Sequence, residues 1–181
     1  MIKTKIYQPM KNIVLFCILI VFLNGCTETD EIYTGDNAKL IFQSEYTNYA
    51  WGYNHNGWMM DSSGKARSFQ KTAPWVFPDS LGYISEADML KNLAACDADL
   101  KQISATEFSK YAEKAATCVS GTLTKPENKM ADAGANVWAF YYYDSTKKGY
   151  KRVILDMTGD WSQQNLAPTA KEVVEWMKTV K

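Results

Sequence analysis

Apolar and polar residues follow three rhythms along this chain, and each rhythm predicts a different element. Residues 13–23 form one unbroken apolar run. Eleven helical residues span only about 16 Å, short of the roughly 30 Å hydrocarbon core of a bilayer. Further on, the rhythm becomes period two. Residues 39–43 are a short apolar stretch, Tyr49, Trp51 and Tyr53 alternate with Ala50 and Gly52, and residues 58–60 and 66–69 follow. Asn56-Gly57 reads as a two-residue turn because both residues suit positive φ, and Asp61-Ser62-Ser63-Gly64 reads as a second turn. These signals predict a meander of about three strands. Residues 71–81 contain Pro74 and Pro78 and read as a loop.

Between residues 85 and 118 the period lengthens to that of a helix. Met89, Leu90, Leu93 and Cys96 make one apolar stripe, preceded by Ser85 and Asp88 in a capping-box spacing. Phe108, Tyr111, Ala112, Ala115 and Cys118 make a second, preceded by Ser104 and Glu107. Residues 119–135 are polar, contain Gly121, Pro126 and Gly134, and read as a long loop. Residues 137–143 and 150–157 then form the clearest hairpin, with Trp138, Phe140 and Tyr142 opposite Val153, Leu155 and Met157. Gly159, Asp160 and Trp161 read as a loop leading to Pro168, which suits a helix's first turn. Ala170, Val173, Val174, Met177 and Val180 form the last stripe. Segregated strands and helices predict an α+β fold. Its antiparallel sheet would have four or five strands, an N-terminal meander plus a C-terminal hairpin, packed against two or three helices.

The start of the chain changes the picture of where this domain works. Lys3, Lys5 and Lys11 precede the short apolar run, and no acid does, which is the pattern of a secretory signal. Leu23-Asn24-Gly25-Cys26 follows and resembles the bacterial lipobox. The resemblance implies that residues 1–25 are a signal peptide and that Cys26 is the first mature residue. Cys26 would carry covalent lipid on its thiol and amine, so the protein would be anchored to a membrane rather than spanning it. Thr27-Glu28-Thr29-Asp30-Glu31 is similar to the acidic export signal of Bacteroidetes surface lipoproteins, which implies display on the outer face of the outer membrane. The other reading of that run is a solvated tether at the periplasmic face. Residues 26–37 read as a flexible tether and residues 38–181 as one domain.

Charge and cysteine count refine this reading. The 181 residues hold 20 Lys+Arg and 20 Asp+Glu, but without Lys3, Lys5 and Lys11 the balance becomes 17 against 20, about −3. A mildly acidic domain argues against nucleic acid, since phosphate binding needs clustered cations. Cys17 lies in the signal and Cys26 is the lipid site, so Cys96 and Cys118 remain. An exported pair suggests a disulfide, although each cysteine ends its own predicted helix; two buried thiols are the alternative.

Candidate chemistry is sparse. There is one histidine, His55, at the expected tip of the first turn, and no spacing that marks a nucleophile elbow, a phosphate loop or a metal site. No catalytic residue, cofactor or metal is assigned. What stands out is aromatic content, with 21 Phe, Trp and Tyr left once Tyr7, Phe16 and Phe22 are removed with the signal. Flat, half-polar rings stack on sugars or anchor protein partners. Trp51, Tyr53, His55, Trp58, Trp75 and Trp161 are therefore the candidate ligand residues. The expectation is a non-enzymatic binding module for a glycan or a protein partner. The alternatives are an accessory subunit of an envelope complex, or a small inhibitor or immunity-type protein.

Overall fold

A computed structural model describes residues 39–70 and 75–180. The expected signal, the tether and Cys26 lie outside the described residues. The strands are β1 Leu40–Asn48, β2 Asn54–Met60, β3 Lys65–Gln70, β4 Tyr83–Ser85, β5 Ala98–Gln102, β6 Glu127–Asn128, β7 Ala135–Asp144, β8 Gly149–Gly159 and β9 Trp161–Gln164. The helices are α1 Glu86–Ala94, α2 Ala105–Ala116 and α3 Ala170–Met177, the last running into a 3-10 turn at Lys178–Val180. The fold is α+β with an antiparallel sheet. Among the described residues that sheet has nine strands rather than four or five, in the order β5-β3-β2-β1-β7-β8-β9-β6, with β4 added beside β8.

The first two helices begin where their caps require. Ser85 accepts from the Asp88 N–H and Ser104 from the Glu107 N–H, each meeting an otherwise orphaned donor. The sheet has a covered apolar zone on each face. On one face, Leu40, Phe42, Met60 and Phe140 pack against Phe108, Ala112, Val173, Trp176 and Met177 of α2 and α3. On the other, Ile41, Met59, Phe69 and Tyr141 pack against Ile84, Met89 and Leu93 of β4 and α1, with Trp75 and Val76 alongside.

Several expectations are corrected. Asn56-Gly57 is not a turn: both residues lie inside β2, paired with Tyr46 and Glu45 of β1. Glycine is required at 57 because a Cβ there would come within 2.0 Å of the Ser44 carbonyl oxygen. The chain reverses instead over residues 49–53, where Gly52 takes φ +94°. The expected loops over residues 119–135 and around Trp161 contain β6 and β9, short strands without an apolar alternation. The expected Cys96–Cys118 disulfide is not formed. Cys118 is buried with the core of α2 and α3, and Cys96 with that of α1. The sheet stands between the two thiols.

Candidate functional site

Side chains paired across neighbouring strands share a face, so the registers arrange the α2–α3 face into rows. The first row is Ala66, Met60, Phe42, Phe140 and Val153, all apolar and next to the helices. One step further comes Ser68, Trp58, Ser44, Trp138 and Asp156, two residues along each strand except β8, where a bulge opposite Trp138 and Ala139 makes the step three. The third row is Gln70, Asn56, Tyr46, Asn136 and Thr158, and Asn54 with Asn48 make a fourth. Each step is roughly 7 Å. Within two steps the face passes from hydrocarbon to hydroxyls and amides. A helix gains stability by burying apolar surface, and beyond the second row, with Trp58 and Trp138, there is little left to bury. The far half of this face is open for that reason.

The open half holds a concavity of about 500 Å³ lined by Ser44, Tyr46, Asn56, Gly57, Trp58, Ser68, Phe69, Gln70 and Asn136. It crosses β3, β2, β1 and β7, a width of about 14 Å at the usual strand spacing. None of the nine lining residues is charged. Its rim is pinned by hydrogen bonds from the Tyr46 hydroxyl to the Ala133 carbonyl (3.2 Å) and from the Asn48 amide to the Asp132 carbonyl (3.0 Å). Trp58 forms the inner wall. It is only 4% exposed, belongs to the core, and its Nε1–H is buried without an acceptor. An unmet buried donor of this kind costs roughly 1–3 kcal/mol. Trp138, in the same row, lies under the Lys178 ammonium, 5.4 Å from its ring centroid. At the end of that row burial pushes the Asp156 carboxyl upward, and its Oδ1 is also without a partner.

The opposite face carries the histidine. His55 is 0% exposed, so its expected place at a wet hairpin tip is corrected. Its Nε2 lies 2.7 Å from Oε1 of Glu45, which is 6% exposed. Arg152 approaches the other Glu45 oxygen at 3.9 Å, and the Tyr141 hydroxyl donates to Gln43 at 2.8 Å. Desolvation holds the Tyr141 phenol well above its ordinary range. The imidazole is boxed by Phe69 (4.9 Å), Trp75 (5.0 Å), Phe77 (5.2 Å) and Tyr53 (6.0 Å). This pair is sealed from solvent and is not placed to exchange a proton with a substrate.

The six aromatic candidates therefore do not make one patch. Tyr53, His55 and Trp75 come together on the α1 face. Trp58 is buried on the other face, contrary to expectation. Trp51 is 85% exposed at the β1–β2 turn, and Trp161 is 48% exposed on β9, near the far edge of the sheet. Ser44, Tyr46, Asn56, Ser68, Gln70 and Asn136 were missed. Their signal was present in β1, where Ser44, Tyr46 and Asn48 recur at every second position and mark a wet face. Among the described residues no three His, Cys, Asp or Glu side chains gather as metal ligands, and no helix is long and apolar enough to cross a membrane.

No family model, curated protein or solved structure matches the chain. The open groove therefore has to be interpreted from its own chemistry.

Proposed function

We propose that this protein is a lipid-anchored lipoprotein of the outer membrane, displayed at the cell surface through Cys26. In this reading it is a non-enzymatic binding module, and the open half of the α2–α3 sheet face takes a neutral oligosaccharide. The observation that carries the reading is the groove's lining: hydroxyls, amides and the half-buried ring of Tyr46, with no charge among them. Neutral sugars offer hydroxyls to amides and C–H faces to aromatic rings. A charged ligand would lose its hydration there without gaining a counter-ion. The width of about 14 Å exceeds one sugar ring, so a short chain laid across the strands fits better than a monosaccharide.

Calorimetry on the full-length protein in detergent, with neutral oligosaccharides of one to six rings, tests this. Affinity should rise with length and then level off. Asn56→Ala should weaken binding about five- to tenfold, the value of one hydrogen bond of about 1–1.4 kcal/mol. Absence of binding by every neutral oligosaccharide would sink the proposal. An inhibitor-type protein held rigid by a Cys96–Cys118 disulfide finds no support, since both thiols are free. A protein partner keeps one supporting feature, the exposed turn carrying Tyr49 and Trp51.

A further inference from the structure

The end of the domain where the chain leads back toward Cys26 carries a surface that the groove does not use. Lys39 precedes β1, and Leu40 pairs with Tyr142 of β7, so the chain enters beside the β7–β8 turn. Lys39 is held there by an ion pair with Glu86 and lies 4.3 Å from the Tyr143 ring centroid. Close by, Leu81 and Tyr83 face Lys147 and Lys148 across a recess of about 320 Å³. The two acids at this recess spend their oxygens on the backbone and on Tyr83. Asp79 Oδ1 accepts from the N–H groups of Leu81 (2.9 Å) and Tyr83 (2.8 Å). Asp144 accepts from the Thr146 N–H (2.9 Å) and, through its other oxygen, from the Tyr83 hydroxyl (3.3 Å). Lys147 and Lys148 are both exposed, and neither belongs to an ion pair among the described residues. Leu81 beside them is 69% exposed.

We infer that this end of the domain docks on the anionic headgroups of the membrane that holds the Cys26 lipid; this rests on the anchored reading of Cys26. Residues 26–38 span at most about 45 Å when extended, so that membrane is within reach of the surface. The ammonium groups of Lys147 and Lys148 attract headgroup phosphates. Leu81 and the Tyr83 ring suit the half-apolar headgroup boundary. Two free lysines and a leucine are too few to recruit a free domain. They are enough to orient one whose lipid already supplies a high local concentration. Tyr46 of the groove lies further along β1 from Lys39 by about 23 Å at the usual rise. Docking by the Lys39 end therefore turns the oligosaccharide groove away from the membrane.

Acetylation footprinting read by mass spectrometry tests this on the full-length chain. The chain is inserted through its lipid into vesicles of phosphatidylcholine alone or of phosphatidylcholine with phosphatidylglycerol. At low salt, Lys147 and Lys148 should react roughly fivefold more slowly on the anionic vesicles than on the neutral ones. That difference should vanish at about 1 M salt, where the Debye length falls to about 3 Å. Lys129, whose backbone N–H bonds to Asp160 beside the Ala135–Gly159 pair at the groove end, should react equally on both. Equal reaction of Lys147 and Lys148 on the two vesicles, with the chain retained on each, overturns this inference and leaves the anchor standing. Loss of the chain from neutral vesicles overturns the anchor and this inference together. The same protection by millimolar inorganic phosphate without vesicles would mean that the recess takes a free anion, and that result also overturns membrane docking.

Discussion

The two faces of the sheet solve the same burial problem with opposite materials. On the α2–α3 face the strands place Leu40, Phe42, Met60 and Phe140 under two helices, and polarity appears only where the helices no longer cover the sheet. On the α1 face the same strands place Gln43, Glu45 and His55 inside, sealed by aromatic rings. Because strand side chains alternate, β1 feeds both: Ser44 and Tyr46 go to the open groove, while Gln43 and Glu45 go to the buried network. One face thus uses its polar residues outside, where they are free to meet a ligand. The other uses them inside, where they must satisfy each other. Polar side chains are candidates for function here according to which of these they do, not according to type.

The largest effect that tests this contrast is loss of a core residue from each face. Phe42 touches Phe108, Phe140 and Trp176, with ring centroids 5.7, 6.3 and 4.9 Å away. Phe42→Ala should cost about 3–5 kcal/mol in urea unfolding through lost transfer energy and a cavity. Glu45→Ala should cost a similar amount, about 3–5 kcal/mol, for a different reason: it strands His55 and removes the partner of Arg152. The difference lies in rescue. Replacing both members of the buried pair, Glu45→Leu with His55→Phe, should recover most of the stability, because the imidazole already sits among Phe69, Trp75 and Phe77. A double variant as unstable as Glu45→Ala alone would mean that the network does more than satisfy itself. Neither of these α1-face variants should alter oligosaccharide affinity.

How much of this was legible depended on local signals. The caps at Ser85 and Ser104 and the β7–β8 hairpin were legible because each is fixed by residues close in sequence. β5 was not, because all five of its residues are exposed at a sheet edge and no apolar alternation marks it. Asn56-Gly57 misled because its glycine answers a non-local constraint, the Ser44 carbonyl on the next strand, rather than a turn. That one error put His55 at a tip and hid the row of Tyr46, Asn56 and Asn136 that makes the groove. Aromatic rings drew attention as ligand residues, yet Trp58 and Trp75 serve the cores, and the amides beside them are what opens to solvent.

Alkaline titration sharpens the contrast at intermediate cost. Burial among the α1-side residues pushes the Cys96 thiol up to about 11 from its ordinary value near 9. A raised thiol keeps its proton in the folded protein after the unfolded chain has lost it. The neutral thiol's contribution is therefore fully present below about pH 9 and is lost as pH rises toward 11. Stability measured by urea midpoints should fall by roughly 3 kcal/mol over that window from this group. Tyr141, raised by desolvation on the same face, adds a fall of the same sign at still higher pH. At pH 8 neither Cys96 nor Cys118 should react with iodoacetamide in the native protein, and both should react once it is unfolded. Rapid native labelling of either thiol would contradict its burial.

The smallest effect concerns the border between the helix-covered and open halves of the α2–α3 face. Asp156 ends the row that also holds Trp58 and Trp138, and its Oδ1 is buried and unpartnered. It faces a recess of about 270 Å³ shared with Gln164, Lys171, Glu175 and Lys178. Burial raises its carboxyl, and the attraction of Lys178 opposes that only in part. A raised carboxyl penalises the folded state once both states are ionised and imposes no penalty where both are protonated. Asp156→Asn should therefore raise the melting temperature slightly at pH 7, with the gain shrinking to nothing as pH falls through the carboxylate range. Calorimetric melting at pH 7 and pH 3 measures it. A loss of stability at pH 7 would mean that the charge is held in place by Lys178 and belongs to the structure. A gain with unchanged oligosaccharide affinity would mark Asp156 as the limit of the groove, the point where the polar row stops serving a ligand and the helix layer begins.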